Sequence, residues 1–97
     1  MAAFNELIHQ TVRLRIMSAL ASLSEDAKVD FTYLKKLLAL SDGNLGAHLL
    51  KLEEAAYLTQ EKTFVDRKPR TYLQLTQEGR KAFLEHVAAL RELLGEE

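Results

Sequence analysis

No cysteine occurs among the 97 residues. Disulfide staples, thiolate metal sites and cysteine nucleophiles are thereby excluded, and the fold must rest on packing. No apolar run approaches the roughly 18 residues that a membrane span needs. The opening residues Met1-Ala2-Ala3-Phe4-Asn5-Glu6 lack the basic start of a secretory signal, so the expected location is the cytoplasm, without membrane contact. A surplus of charge is also missing: 13 Lys and Arg stand against 14 Asp and Glu, a formal net charge of −1. Modules that bind nucleic acid are usually basic overall, so any such role here has to rest on how the charge is distributed. Enzymatic signals are lacking as well, with no Gly-rich phosphate loop, no Ser/His/Asp set in usable order and no paired carboxylates in an apolar setting. No catalytic residue, cofactor or metal site is expected.

What is present suits a folded chain: 47% hydrophobic and 28% charged residues. The length predicts one domain over residues 1–97, too small for a deep pocket and a separate cofactor fold. Its organising stretch runs from Leu40 to Leu58. Ser41 is placed to cap a helix starting at Asp42, because its hydroxyl can accept an N–H left open in the first turn. At about 100° per residue, Leu45, Leu49, Leu52 and Ala56 share one face, the expected buried one. The opposite side carries Gly43, Asn44, Ala47, Leu50, Lys51 and Glu54, and over its first two turns it is small and nearly uncharged. Small residues allow close approach to another body, and Asn can pair with adenine in a major groove.

Phe4 to Leu23 reads as helix, in two pieces that meet near Gln10. Val12, Ile16, Ala19, Leu20 and Leu23 form one apolar stripe, with Leu14, Met17 and Ala21 opposite. A helix apolar on two faces needs two covers, and the expected second cover is another copy of the chain, with Phe4, Leu7 and Ile8 contributing. After a polar break at Ser24 to Lys28, Val29-Asp30 is a very short strand. A helix from Phe31 to about Ala39 follows, with Asp30 or Thr32 as its cap. Two helices joined by so short a turn make a helix-turn-helix, whose second helix is presented outward.

After Leu58 the period changes. Leu58 to Val65 and Thr71 to Leu75 alternate like strands, with Asp66-Arg67-Lys68-Pro69-Arg70 as the turn of a hairpin. Thr76 caps a last helix on which Phe83, Val87, Leu90 and Leu94 share a face, flanked by His86 and Leu93. The turn holds three cations against one carboxylate. With Lys62 and Lys51 it puts positive charge beside the small-faced helix, while acids collect at Glu92, Glu96 and Glu97. Cations so placed can neutralise phosphates or reach a minor groove.

The chain resembles a winged helix-turn-helix transcriptional regulator of the MarR-like and ArsR-like group. The resemblance is carried by Val12-Arg13-Leu14-Arg15-Ile16-Met17, by Asp42-Gly43-Asn44-Leu45 through Lys51-Leu52-Glu53-Glu54-Ala55, by Arg67-Lys68-Pro69-Arg70-Thr71 and by Leu75-Thr76-Gln77-Glu78-Gly79-Arg80. It implies a mainly α fold with a small β-hairpin, flanked by N- and C-terminal dimerisation helices. The implied function is that of a homodimer binding double-stranded DNA sequence-specifically, acting as a repressor, with any small-molecule effector unspecified. Matched to the family pattern, Gly43, Asn44, Ala47, His48 and Lys51 are the recognition-helix contacts and Arg67, Lys68 and Arg70 the wing contacts. Thr32 and Tyr33 are candidate phosphate contacts. The dimer would use Phe4, Leu7, Leu14, Phe83, Val87, Leu90 and Leu94.

Two positions depart from the pattern. Ala56 stands where Gly usually ends the helix in a left-handed residue, a conformation costing Ala about 1 kcal/mol. Leu50 replaces a frequent basic side chain. A second reading therefore stays open, a winged-helix module that binds another protein through Leu50 and the flat helix face. Arg13 and Arg15 are expected to snorkel or pair with carboxylates, and Asp42 to favour the helix dipole. Glu53 and Glu54 are expected to point away from the duplex. His48 lies between core and outer face, and His9 and His86 lie on terminal helices that could meet.

Overall fold

The structure, a computed structural model, describes residues 3–96; Met1, Ala2 and Glu97 lie outside them. Eight elements follow in order: α1 (Glu6–His9), α2 (Thr11–Ala21), β1 (Val29–Asp30), α3 (Phe31–Leu38), α4 (Asp42–Glu54), β2 (Leu58–Val65), β3 (Lys68–Leu75) and α5 (Gln77–Leu93). The expected division of the N-terminal helix is present. Gln10 is extended at φ −59° and ψ 134°, and its side chain accepts from the Arg13 N–H, so it ends α1 and caps α2. Asn5 caps α1 in the same way, accepting from the Ile8 N–H at 3.0 Å.

Ile16, Met17 and Leu20 of α2 are buried with Leu34, Leu38, Leu45, Leu49, Leu52, Leu58, Leu73 and Leu75. Each such side chain contributes about 2 kcal/mol on leaving water. Because α2 packs against α1, α3, α4, α5 and β3, both of its apolar stripes are covered by its own chain. The expectation that a second copy covers the Leu14, Met17 and Ala21 stripe is thereby corrected: Met17 is fully buried, and Leu14 and Ala21 pack against the same core. Leu23 lies beyond the helix and is exposed.

Asp30 occupies the cap position of α3 but makes no side-chain cap bond. Both α3 and α4 end in a left-handed alanine, Ala39 at φ 56° and Ala56 at φ 65°. At each end paired backbone bonds close the helix. The Leu40 and Ala39 N–H groups donate to the Lys35 and Lys36 carbonyls, and those of Tyr57 and Ala56 to Leu52 and Glu53. This double closure is what holds an alanine in a conformation that favours glycine. Ala56 is therefore past the helix and exposed, not part of its buried face.

The sheet is antiparallel in the order β1-β3-β2, with Leu58 opposite Leu75 and Val65 opposite Lys68. The hairpin turn is shorter than the sequence pattern predicts. Only Asp66 and Arg67 form it, at φ 52° and 67°, the doubly left-handed geometry that suits the twist of a two-residue hairpin. Lys68, Pro69 and Arg70 belong to β3. Pro69 is tolerated because β1 reaches only Tyr72 and Leu73, so its missing N–H falls on the open edge of the strand.

Thr76 caps α5, accepting from Gly79 N–H at 2.9 Å and donating to the Ala56 carbonyl at 2.7 Å. Gly79 is buried where a Cβ would run into the Tyr57 carbonyl, and this close approach ties the start of α5 to the end of α4. The radius of gyration is 14.0 Å, with extents of 51 × 25 × 21 Å. A compact chain of this length would have about 12.5 Å, so parts of the molecule project.

Candidate nucleic-acid interface

Helix α4 turns Leu45, Leu49 and Leu52 inward and leaves Gly43, Asn44, Ala47, Leu50 and Lys51 exposed. Ser41 accepts from the Asn44 N–H at 3.1 Å as expected, and Asn44 is exposed. Asp42 pairs with Lys35 at 2.7 Å, tying α4 to α3 across the turn. Thr32 and Tyr33, at the start of α3, are exposed.

One flank of α4 carries Asn44, His48 four residues on and Lys51 three residues after that. His48 is half-buried, and its Nδ1 lies 3.0 Å from Arg13 Nη1. Burial, the Arg13 guanidinium and the Lys51 ammonium together push its pKa below the ordinary histidine value. Arg13 also donates from Nε to the Leu7 carbonyl at 2.6 Å, and Arg15 from Nη2 to the Leu38 carbonyl at 2.9 Å. Among the described residues neither arginine is in an ion pair, one of the two expected outcomes; both donate to backbone carbonyls of neighbouring helices.

The other flank of α4 faces the hairpin. Glu53 is engaged by the hairpin base. Its two carboxylate oxygens accept from the Gln60 N–H and the Gln60 side-chain amide, each at 3.2 Å, bracing the hairpin base against the helix. Phe31, Gly46, Leu50, Glu53, Gln60, Lys62 and Thr71 line a cleft of about 730 Å³ between the two elements. At the hairpin tip Arg67, Lys68 and Arg70 are all exposed, and among the described residues none of them is in an ion pair. Lys62 is likewise unpaired, whereas Glu61 is engaged by Lys28 at 3.5 Å.

The exposed aromatic on the hairpin escaped sequence reasoning. Phe64 stands opposite Pro69 and is 73% exposed. In an alternating strand it reads as an inward residue, and only the short sheet, which ends before it reaches the core, leaves it outside.

Helices α1 and α5 also meet. The His86 ring is fully buried; its Nδ1 accepts from the Asn5 N–H at 3.0 Å, and its Nε2 lies 3.2 Å from His9 Nδ1. Phe4 packs edge-on to His86 with ring centroids 4.9 Å apart. Burial first, and His9 second, push the His86 pKa down, while Glu6 opposes them. Of the residues expected to pair subunits, Leu7, Leu14 and Phe83 pack partly against the chain's own core. Val87 and Leu90 are half-buried, and Phe4 and Leu94 are exposed.

A helix-turn-helix followed by a braced, cation-bearing hairpin defines a winged helix, and residues 12–94 match the family model of the winged helix DNA-binding domain. The chain belongs to that family. It is 33% identical over 88 residues to an uncharacterised protein of Methanocaldococcus jannaschii, covering 91% of this chain and 92% of that one. Among solved structures it resembles a transcriptional regulator homologue from Pyrococcus horikoshii, with a TM-score of 0.75 and 32% identity over 93% of this chain and 89% of the other. It also resembles a PadR family transcriptional regulator from Eggerthella lenta, with a TM-score of 0.68 and 26% identity over 88% and 82% of the two chains.

Proposed function

We propose that this chain binds double-stranded DNA sequence-specifically as a homodimer and regulates transcription, acting as a repressor by occupying a promoter. The observation that carries this reading is the adjacency of two exposed elements: the small outer face of α4, and a wing whose Arg67, Lys68 and Arg70 have no carboxylate partner among the described residues. Gly43, Asn44, Ala47, His48 and Lys51 would meet the major groove, and the wing cations a phosphate backbone or minor groove. Base-edge contacts then supply sequence preference, and the wing supplies affinity on any sequence. The MarR-like or ArsR-like placement rests on the residues that carry the resemblance, and the PadR family neighbour has a similar fold.

Pairing of two chains through α1 and α5 is supported by the exposure of Phe4 before α1 and of Leu93 and Leu94 at the end of α5, apolar side chains that a second copy would cover. A two-fold dimer would present two recognition helices to two half-sites. Selection from a random duplex library tests the reading: a two-fold symmetric consensus is expected, and enrichment of no sequence would overturn specific recognition. A monomer at micromolar concentration would overturn the dimer.

A protein-binding role has one observation in its favour. Leu50 is 53% exposed in the cleft beside Glu53, at a place where a phosphate would prefer a cation. Lys substitution at Leu50 separates the readings: it should strengthen DNA binding if the cleft runs along a phosphate backbone, and leave it unchanged if the cleft is for a protein.

A further inference from the structure

Arg13 lies on α2, yet its guanidinium contacts His48, the single histidine of α4. Arginine has only donors at its guanidinium, so the 3.0 Å contact from Nη1 requires a lone pair on His48 Nδ1. A proton on that nitrogen would set two N–H groups against each other and leave both unsatisfied. The imidazole proton therefore sits on Nε2. That nitrogen makes no hydrogen bond within the described chain, and it is not among buried atoms lacking a partner, so it is open to solvent. Arg13 is itself fixed by its second bond, from Nε to the Leu7 carbonyl at 2.6 Å. The result is a relay from the α1–α2 scaffold to the flank of α4, ending in a free N–H donor beside Asn44 and Lys51.

We propose that Arg13 is a positioning residue for DNA recognition, holding His48 in the Nε2–H tautomer so that α4 presents a fixed hydrogen-bond donor to an acceptor on the duplex, a phosphate oxygen or a base edge. The inference rests on the DNA-binding reading. The charged groups facing His48 are Arg13 from α2 and Lys51 from α4 itself, and both oppose its protonation. The donor is consequently present at neutral and alkaline pH, where an unassisted histidine would exchange its single proton between the two ring nitrogens. A histidine contact that depended on the imidazolium would instead fade as pH rises through about 6.5.

Two measurements test this. Nitrogen-15 NMR of the His48 ring in the full free chain at pH 7.5 should show a protonated Nε2 and an unprotonated Nδ1. A protonated Nδ1 would overturn the proposal without reference to DNA. Affinity for a selected duplex should then fall about tenfold in Arg13→Met and in His48→Ala, with no further loss in the double variant. Lowering the pH from 7.5 to 5.5 should recover affinity in Arg13→Met, whose freed imidazole becomes a two-donor cation, but not in the double variant. Additive losses, or an Arg13→Met variant that binds as well as the parent, would refute the positioning role while leaving DNA binding intact. A parent chain that binds no duplex even at low salt would overturn the functional reading itself. His48→Ala keeps the test available if Arg13→Met unfolds.

Discussion

Arg13, Arg15 and Arg80 differ from Arg67, Lys68 and Arg70 in nothing that a charge count records. The first three are turned inward onto backbone carbonyls: Leu7 for Arg13, Leu38 for Arg15, and Ala21 with Leu23 for Arg80. They occupy acceptors that the helix ends leave open. The second three stand on an exposed hairpin with no ion pair among the described residues. A net charge of −1 is therefore compatible with a DNA-facing surface, because the cations available to phosphates are those without an internal role.

Replacing Arg67, Lys68 and Arg70 together by Ala should produce the largest effect: loss of about three units from the slope of log affinity against log salt, on every duplex alike. Thermal stability should be nearly unchanged, and a stability loss instead of a slope change would break the division. Gly79→Ala should do the opposite. It forces a methyl group against the Tyr57 carbonyl and should destabilise by about 3 kcal/mol in denaturant unfolding. Arg80→Met, which strips two carbonyls of their donor, should cost about 2 kcal/mol and leave the salt slope of DNA binding alone.

Acidification separates the same regions by a different route. His48 and His86 have pKa values lowered by burial, so below about pH 6.5 the unfolded chain binds more protons than the folded one. Stability is therefore fully present above that value and declines as pH falls through it toward the folded pKa values. His86→Asn should flatten the decline if the buried clamp with Asn5 and His9 is its main source; an unchanged profile would exclude that. The smallest effect belongs to the helix ends: Ala56→Gly or Ala39→Gly should stabilise by about 1 kcal/mol, each relieving a left-handed alanine.

Local signals explain how much of this was legible in sequence. Ser41 and Thr76 cap the helices they were expected to cap, Gln10 breaks the N-terminal helix, and the stripe of Leu45, Leu49 and Leu52 is buried. Each depends on neighbours within a few residues. The wing turn was read three residues too long because Pro69 suggests an interrupted strand, while its effect depends on how far β1 extends. The partners of Arg13, Arg15 and Glu53 are not legible in the sequence for a related reason. They bond across helices and strands, and no local spacing records such pairings. Ala56 shows the limit in another form: the departure from glycine was visible, but only the Leu52 and Glu53 carbonyls reveal that the backbone stays left-handed.

The central claim is that unpaired wing cations beside α4 meet a duplex. Its most direct test is the affinity of the unaltered chain for double-stranded DNA across a salt series. A strong fall in log affinity with log salt is predicted, with a slope reduced stepwise by each wing substitution. Salt-independent binding, or a slope that survives the loss of Arg67, Lys68 and Arg70, would contradict it.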